Sequence, residues 1–307
     1  MASAVYDYEN WMGSLPDSLH SLPLNHLAIP GSHDSASYSL NAKNDIAPDT
    51  SPEIQALISV MGDCGKEIIY RWSLCQNITI TQQLNHGIRY LDLRVCSHKK
   101  KKTLNFIHGL YGDEVKPVLN DINQFLDKHR KEIVLLDFNH FYCMDQSDHT
   151  ELMDMIQDVF GSKLCPLLDM ESATLESLWE NQLQVIVFYQ NDAAKDNHFF
   201  WPATSIRSPW ANTSQLSNLM SFLESNYKEG HPDDIFYVWQ GVLTPTTETV
   251  VMHFCSSLKD CLCNKVDPIF VSWLKDKRRG KNGITICNMD YVETPDYIPT
   301  ILSLNKI

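Results

Sequence analysis

Short apolar runs that end in polar residues recur along the chain and predict the strands of a sheet. The segment 132–138 (EIVLLDF) is apolar over most of its length, which is typical of a parallel strand covered on both faces. The segment 24–29 (LNHLAI) ends at Pro30-Gly31, a pair that punctuates a strand because proline fixes φ and glycine tolerates φ > 0. The predicted strands are residues 24–29, 88–95, 104–108, 132–138, 183–189, 204–207, 235–240 and 284–288.

Helical patterns separate most of these strands. Within 115–130, Val118, Ile122 and Phe125 fall on one face of a helix. Gly87 is placed to cap the end of a short helix. The predicted helices are residues 53–62, 66–75, 80–86, 115–130, 147–160, 172–179 and 213–227, with further helical segments within 247–277 and a lead-in of helical spacing within 1–23.

One connection departs from this alternation. Only about eight residues separate segment 88–95 from segment 104–108, which is too short for a crossover helix. Either these two strands pair antiparallel or an extended segment makes the crossing.

The succession of strands and helices favours an α/β barrel of irregular form, built as a single domain over residues 1–307. A doubly wound open sheet is the alternative. That fold is expected to carry a GxGxxG turn after an early strand, and Pro30-Gly31-Ser32 does not match it. The sequence therefore predicts the barrel.

Charge narrows the classes of function. The formal net charge of −13 argues against a general nucleic-acid binder and against strong, diffuse adhesion to anionic membranes. Basic runs at 99–102 and 275–281 oppose this balance locally. We interpret both as solvated loops, with a membrane-surface or nucleic-acid patch as the alternative.

Targeting signals and cysteines point to the cytoplasm. No apolar stretch approaches about 18 residues, so no transmembrane helix is predicted. Residues 1–10 are polar where a signal peptide needs an apolar core. The nine cysteines are scattered, without a CxxC pair, and Cys261 and Cys263 form the only close pair. Reduced thiols in a cytosolic protein fit this pattern, and the basic run 277–281 is compatible with a nuclear pool.

Polar residues gather where the predicted strands end. In a barrel these ends meet at one face, where catalytic groups collect. Asp92 and Arg94 share one side of their strand because side-chain direction repeats every two residues. The residues placed at this face are His33, Asp34, Asp92, Arg94, His108, Asp137, Asn139, His140 and Asp290.

Two histidines, several carboxylates and an arginine are the groups needed for phosphoryl transfer without a cofactor. One imidazole accepts a proton from a hydroxyl nucleophile and the other donates one to the leaving oxygen. Aspartates fix the tautomers, and arginine holds phosphate oxygens. The structural alternative is that Asp92 and Arg94 form a buried ion pair and that His108 is a core histidine. For any one of these residues, a structural role is as good an explanation as a catalytic role. For five residues at three strand ends together, the structural explanation is the poorer one.

Four segments resemble phosphatidylinositol-specific phospholipase C, and most of all the small eukaryotic proteins built around its X domain alone. They are 29–35 (IPGSHDS), 87–94 (GIRYLDLR), 106–111 (FIHGLY) and 133–141 (IVLLDFNHF). The likeness covers nearly the whole chain, with an X-domain-like region at about 21–195. It implies an irregular TIM (β/α) barrel. The implied activity cleaves phosphatidylinositol or a phosphoinositide to diacylglycerol and a cyclic inositol phosphate at a membrane surface.

The resemblance also implies roles for individual residues. His33 is similar to the general base that deprotonates the inositol 2-hydroxyl, and Asp290 to the carboxylate that orients this base. His108 is similar to the acid that protonates the diacylglycerol oxygen, with assistance from Asp34. Water then opens the cyclic phosphate while the two histidines exchange roles.

The residue at position 94 indicates whether the activity is expected to depend on calcium. Calcium-dependent members of the family carry an acidic residue at this position, whereas the bacterial secreted enzymes carry an arginine in place of the metal. Asp34 also follows the bacterial pattern, because the calcium form has asparagine there. The resemblance therefore predicts an enzyme without metal or cofactor, with Ca²⁺ dependence as the less favoured alternative.

Asp92, Asp137 and Asn139 are predicted to bind substrate. Asp92 matches an acidic position in both forms of the family. The family position that is glutamate or lysine falls on Phe138, and a shift of one residue places Asp137 there instead. The two alignments give Asp137 different parts in inositol or metal binding.

Two other functions remain as alternatives. A metal-assisted glycerophosphodiester hydrolase on the same barrel would use Asp34, Asp92 and Asp137 as oxygen ligands. A phosphoinositide or inositol-phosphate binding protein without turnover is the second, and Phe138 is its only support in the sequence.

An aromatic segment is one candidate for contact with a bilayer. Phe199, Phe200 and Trp201 follow a predicted strand, and aromatic rings favour the membrane interface. The alternative is that these rings pack under a neighbouring helix. The sequence identifies no protein partner.

Overall fold

The computed structural model describes residues 7–306, with only the backbone described at 57–59, so residues 1–6 of the predicted lead-in lie outside it. Nine strands form one sheet within these residues. The strands are β1 (Ile29–Ser32), β2 (Tyr90–His98), β3 (Thr103–His108), β4 (Leu110–Glu114), β5 (Val134–Tyr142), β6 (Val185–Tyr189), β7 (Ile206–Arg207), β8 (Phe236–Gln240) and β9 (Ile286–Met289).

Ten α-helices lie within the described part of the chain. They are α1 (Pro52–Met61), α2 (Asp63–Ser73), α3 (Ile80–Asn85), α4 (Val115–Lys128), α5 (Gln146–Phe160), α6 (Leu175–Glu180), α7 (Leu216–Glu229), α8 (Thr247–Met252), α9 (Asn264–Lys275) and α10 (Tyr297–Leu304). A π-helical turn, Lys259–Cys263, runs directly into α9. Short 3₁₀ turns are Tyr8–Asn10, Asp17–Leu19, Leu24–His26, Ser37–Ser39, Gly161–Lys163, Met170–Ser172, Asp192–Ala194 and Ala203–Ser205.

Seven parallel strands make an α/β barrel, as the sequence predicts. Their order is β6-β5-β2-β1-β9-β8-β7. In the described residues the ladders do not close between β6 and β7, where one parallel bridge joins Phe188 to Trp201. The barrel is therefore irregular and open at this seam. Most buried apolar side chains belong to one cluster that extends from Trp11 to Leu302.

Strand β2 connects the barrel to a second set of strands. Tyr90 and Leu91 pair in parallel with β1, and the stretch from Tyr90 to Cys96 pairs in parallel with β5. The end of the strand, from Val95 to His98, pairs antiparallel with β3. The short connection between β2 and β3 is thus an antiparallel one. Strand β4, which pairs antiparallel with β3, was not predicted, because its sequence (LYGDE) has little apolar character.

The predicted strand at 24–29 is wrong in its position. Leu24–His26 is a 3₁₀ turn, and β1 begins at Ile29 and continues through Pro30 and Gly31. The ladder tolerates this sequence because the Pro30 carbonyl still accepts a hydrogen bond from Arg89 N–H (2.8 Å). At Gly31 a Cβ atom would lie 2.7 Å from the Cys287 carbonyl and 2.7 Å from the Tyr90 ring. Glycine therefore allows the neighbouring strands to approach closely.

The predicted membrane contact at residues 199–201 is also wrong. Phe200 and Trp201 are 3% and 1% exposed, and Phe199 packs against the core. The Trp201 indole donates to the Cys165 carbonyl (3.2 Å), and its ring meets Phe188 edge-on. The segment is apolar because it fills the seam after β6. No helix among residues 7–306 combines the length and apolar character needed to cross a bilayer.

Candidate active site

A cavity of about 650 Å³ opens at the carboxyl ends of the parallel strands. These ends are where a barrel presents its functional side chains. Of the residues predicted for this face, seven line the cavity: His33, Asp92, Arg94, His108, Asn139, His140 and Asp290. Asp34 and Asp137 do not line the cavity, but they contact Arg94 and Tyr90, which do.

His33 and Asp290 form a pair because β1 and β9 are in register. Ser32 pairs with Met289, so the residues that follow both strands are adjacent. His33 Nδ1 lies 2.7 Å from Asp290 Oδ1. A carboxylate only accepts, so Nδ1 carries the proton and Nε2 is left with a lone pair. Burial lowers the pKa of His33, but the charge and hydrogen bond of Asp290 outweigh burial and set the pKa above its ordinary value.

His108 reaches the same cavity from the end of β3. Its Nδ1 lies 2.8 Å from the Ser73 carbonyl and 3.2 Å from Asp34 Oδ2. Both partners accept, so the proton sits on Nδ1 and Nε2 is the free nitrogen. Burial and the charge of Arg94 lower the pKa of His108 to about 4. The His33 and His108 rings lie 6.4 Å apart between centroids and edge-on to each other, so one ligand in the cavity can meet both.

The turn after β3 explains how His108 comes so close to α2. Gly109 has φ +68°, a conformation that favours glycine, and a Cβ atom there would lie 2.3 Å from Ser73 Oγ. Gly109 therefore lets the chain turn into β4 without pushing α2 away.

Arg94 lies between the two histidine–carboxylate pairs. Its Nη1 contacts Asp34 Oδ2 at 3.1 Å, and its Nη2 donates to His33 Nε2 at 2.9 Å. Burial lowers the pKa of Arg94, but Asp34 and Asp92 outweigh it and keep the guanidinium charged. Burial raises the pKa of Asp34 to about 6 against the opposing charge of Arg94. A single fixed cation thus faces the position between the histidines.

Asp34 has an unusual backbone conformation. Its φ is +42°, which is rare for a residue with a side chain. The surroundings hold it there, since its N–H donates to Asp92 Oδ2 (3.0 Å) and its carboxylate meets Arg94. Strain of this kind persists where neighbouring contacts determine the conformation.

Asp92 and Asn139 form part of the cavity floor. Asn139 Nδ2 donates to Asp92 Oδ1 at 2.6 Å. Asp137 does not line the cavity; it is fully buried beneath this floor and accepts from Tyr90 Oη and Gln190 Nε2, both at 2.7 Å. Burial raises the pKa of Asp137 to about 6. Asp137 therefore orients the side chains that line the floor.

A β-bulge determines which side chains of β5 face the cavity and which face the apolar core. Asp137 pairs with Asp92 across the strands, whereas the register shifts before Arg94, which pairs with His140. Phe138 is fully buried in the apolar core and packs near Tyr189. The bulge lets both Asn139 and His140 line the cavity. Phe138 thus removes no polar group from the site.

The donor set does not fit calcium, which takes six to eight oxygen ligands. The carboxylates of Asp34 and Asp92 already face Arg94. Among the described residues, the imidazole, carboxylate and thiol groups close enough to share a metal are those of His33, Asp34 and Cys75. Burial raises the pKa of the Cys75 thiol well above its ordinary value, so it keeps its proton and is a poor ligand.

The rest of the cavity was only partly visible in the sequence. Gln190 and Gln240 line it at the ends of apolar strands, the same signal that located Asn139. Asp49 lies in the loop before α1 and Trp72 on α2, and neither carries a local signal. Apolar side chains also line the cavity, namely those of Ile54, Ile68, Ile69, Trp72, Val242, Leu243, Val250 and Leu258. Polar and apolar side chains together suit an amphipathic ligand.

Similarity to solved structures concerns the fold. The chain superposes on a structure titled phosphatidylinositol-specific phospholipase C from Listeria monocytogenes with a TM-score of 0.65 and 21% identity, covering 98% of this chain and 100% of that one. A pentafluoro-phenylalanine form of the Staphylococcus aureus enzyme gives a TM-score of 0.66 at 16% identity, with 98% of each chain covered. At these identities the likeness supports the barrel alone.

Similarity in sequence identifies the family as well as the fold. Residues 70–191 match the family model described as phosphatidylinositol-specific phospholipase C, X domain. The PI-PLC X domain-containing protein 3 of Bos taurus is 38% identical, with 98% of this chain and 94% of the relative covered. The PI-PLC X domain-containing protein 2 of Mus musculus is 42% identical over 97% of this chain and 88% of the relative. The chain therefore belongs to the family of PI-PLC X domain-containing proteins.

Proposed function

We propose that this protein is a phosphodiesterase of the phospholipase C type that cleaves the glycerol–phosphate bond of phosphatidylinositol. One observation carries the proposal. Two histidines face one cavity, with a carboxylate oxygen 2.7 Å from Nδ1 of His33 and another 3.2 Å from Nδ1 of His108, and the half-buried Arg94 contacts both His33 and Asp34. Such a pair supplies a general base and a general acid on opposite sides of a phosphate.

The geometry supports a definite sequence of proton transfers. His33 Nε2 accepts the proton of the inositol 2-hydroxyl, and the freed oxygen attacks the phosphorus. His108 donates a proton to the departing diacylglycerol oxygen. Asp290 and Asp34 hold the two rings. Water then opens the cyclic phosphate, with His108 as base and His33 as acid.

Arg94 is the proposed stabiliser of negative charge. In the free protein its Nη2 donates to His33 Nε2 (2.9 Å), the nitrogen that must accept the substrate proton. A bound phosphate offers the guanidinium stronger, charged acceptors. Substrate binding therefore draws Arg94 onto the phosphate and frees the base. This arrangement needs no metal, and metal independence is part of the proposal.

The direct test is product formation from a bilayer. Purified protein is incubated with vesicles that contain phosphatidylinositol, and diacylglycerol and inositol phosphate are measured. The proposal predicts both products in equal amounts. Binding to the vesicles without either product, at high protein concentration, would instead favour a binding protein. Activity that a chelator abolishes and Mg²⁺ restores would favour the metal-assisted hydrolase.

The charges of the cavity predict a preference for phosphatidylinositol without further phosphates. Arg94 is the only lysine or arginine among the described residues that line it, and Asn139, Gln190 and Gln240 are neutral. An additional phosphate on the ring would lose hydration without gaining a cation. We expect kcat/KM to fall at least about tenfold for a bisphosphorylated lipid. Vesicles containing each lipid at equal surface concentration measure this, and equal rates would contradict it.

The mouth of the cavity has the exposed apolar residues that a membrane-binding surface needs. Val251, Met252 and Phe254 are 47%, 69% and 49% exposed, and they follow Val250, which lines the cavity. Arg71 ties this segment to α2 by donating to the Phe254 carbonyl (2.9 Å). We propose that this segment touches the bilayer while lipid enters, which fits a cytoplasmic protein with transient membrane association.

Replacing Val251, Met252 and Phe254 with serine tests this surface. We expect co-sedimentation with phosphatidylinositol vesicles to fall about tenfold, because apolar area no longer enters the interface. Hydrolysis of a water-soluble inositol phosphodiester should be unchanged. The control is Ile269→Ser, which removes an apolar side chain of similar exposure (43%) on α9 that does not line the cavity. Equal vesicle binding by the triple variant and this control would refute the assignment.

A further inference from the structure

Asp290 uses one carboxylate oxygen for His33, and its other oxygen faces a thiol. Asp290 is 2% exposed. Its Oδ1 accepts from His33 Nδ1, and its Oδ2 accepts from the Cys263 S–H at 3.5 Å. Within residues 7–306, Cys263 is the one donor that Oδ2 has. A buried carboxylate oxygen without a donor is costly, so this thiol is the contact that keeps Asp290 fully satisfied.

The π-helical turn places Cys263 at this position. Lys259–Cys263 is π-helical and leads directly into α9. Each residue of an α-helix turns about 100°, so the wider π turn changes which side chain faces the barrel. Cys263 is 1% exposed, whereas the next residue, Asn264, is exposed. Turns of this kind are rare and often occur at functional sites.

Cys263 acts as a donor and not as a charged neighbour. Burial raises the pKa of its thiol well above the ordinary value, and the charges of Asp290 and Asp267 add to the effect. The thiol therefore keeps its proton at neutral pH and donates it to the carboxylate. The other charged or titratable groups that face His33, Asp290 and Cys263 are Asp34, Cys75, Asp92, Arg94, His108, His140, Lys259, Asp267 and Tyr291.

We propose that Cys263 is a positioning residue that fixes the Asp290 carboxylate against His33 and thereby sets the basicity of this histidine. The inference rests on the proposed function, in which His33 is the base. Without the thiol, Oδ2 has no donor and the carboxylate holds the protonated imidazole more tightly. His33 then needs a higher pH to become a free base.

The test compares Cys263→Ala with Cys263→Ser. We expect kcat/KM of the alanine variant to fall roughly tenfold at pH 6, the rate equivalent of an unsatisfied buried acceptor, and much less at pH 8. Serine keeps a hydroxyl donor and should restore most of the rate at pH 6. The matched control is Cys261→Ala in the same π turn, whose thiol donates to Ser256 Oγ at 3.2 Å. Equal losses at both pH values, or no recovery with serine, would overturn the proposal.

A second measurement is independent of turnover. The titration of the His33 imidazole is followed by NMR in the wild type, Cys263→Ala and Cys261→Ala. We expect the pKa of His33 to rise in Cys263→Ala alone. An unchanged titration would refute the role of Cys263 even in an active enzyme. A shifted titration in a protein without lipid cleavage would support this role and count against the proposed function only.

Discussion

Replacing His33 with alanine should lower phosphatidylinositol cleavage by about 10²–10⁴, the usual contribution of a general base. The loss follows from geometry, because His33 Nε2 is the basic nitrogen that faces the cavity and Asp290 fixes its tautomer. The measurement is the initial rate of inositol phosphate release from phosphatidylinositol vesicles at several pH values. Since the variant lacks the titrating base, it should also lose the change in rate that accompanies deprotonation of His33.

The control for this variant is a histidine outside the site. His86 is exposed at the end of α3, where its Nδ1 meets the Gln82 carbonyl at 2.6 Å. His86→Ala should keep the wild-type rate. Circular dichroism checks that both variants fold. A folded His33→Ala variant that cleaves phosphatidylinositol within threefold of the wild type would exclude His33 as the base.

Replacing His108 should give a loss that depends on the leaving group. With phosphatidylinositol, His108→Ala should lose about 10²–10⁴ in rate, because the diacylglycerol oxygen leaves as a poor alkoxide without a proton. With an inositol nitrophenyl phosphate, whose leaving group needs no proton, the loss should be less than about tenfold. The measurement is kcat/KM for both substrates with wild type, His33→Ala and His108→Ala.

The contrast between the two histidines distinguishes acid from base. His33→Ala should lose activity on both substrates, since the attacking hydroxyl is the same. The low pKa of His108, about 4 in the free protein, follows from burial and the charge of Arg94. A bound phosphate neutralises that charge and raises the pKa of His108 toward the range that an acid needs. Equal losses of His108→Ala on both substrates would contradict the assignment of His108 as the acid.

Most residues of this site could be predicted from their positions in or directly after the predicted strands. His33 and Asp290 directly follow β1 and β9, and parallel strands bring such ends to one face. Asp92 and Arg94 reach the same face from within β2, which continues past the barrel to His98. His108 was located by the same rule, although β3 is antiparallel and His108 enters from the side. The resemblance to the phospholipase C family added the individual roles, which stay predictions until the variants are measured.

Other features depend on contacts that no local pattern encodes. The contact between His108 and Asp34 joins residues 74 positions apart and depends on the turn at Gly109. The β-bulge that turns Phe138 into the core depends on the register between β2 and β5. An aromatic segment such as 199–201 has the same composition whether it fills a barrel seam or meets a bilayer. Only packing distinguishes the two cases.

The position of Cys263 is likewise invisible in the sequence. Cys261 and Cys263 form a close pair, which by itself is only weak evidence for a metal site. Only the π-helical turn separates them, because it directs Cys263 toward Asp290 and Cys261 toward Ser256. Helix propensity carries no signal for a single wide turn.

The most direct test of the central claim is inositol phosphate release from phosphatidylinositol vesicles with EGTA and with Ca²⁺. We expect equal release in both buffers, because Arg94 supplies the positive charge beside the two histidines. Release only with Ca²⁺ would contradict the role of Arg94, and no release in either buffer would contradict the proposed enzyme.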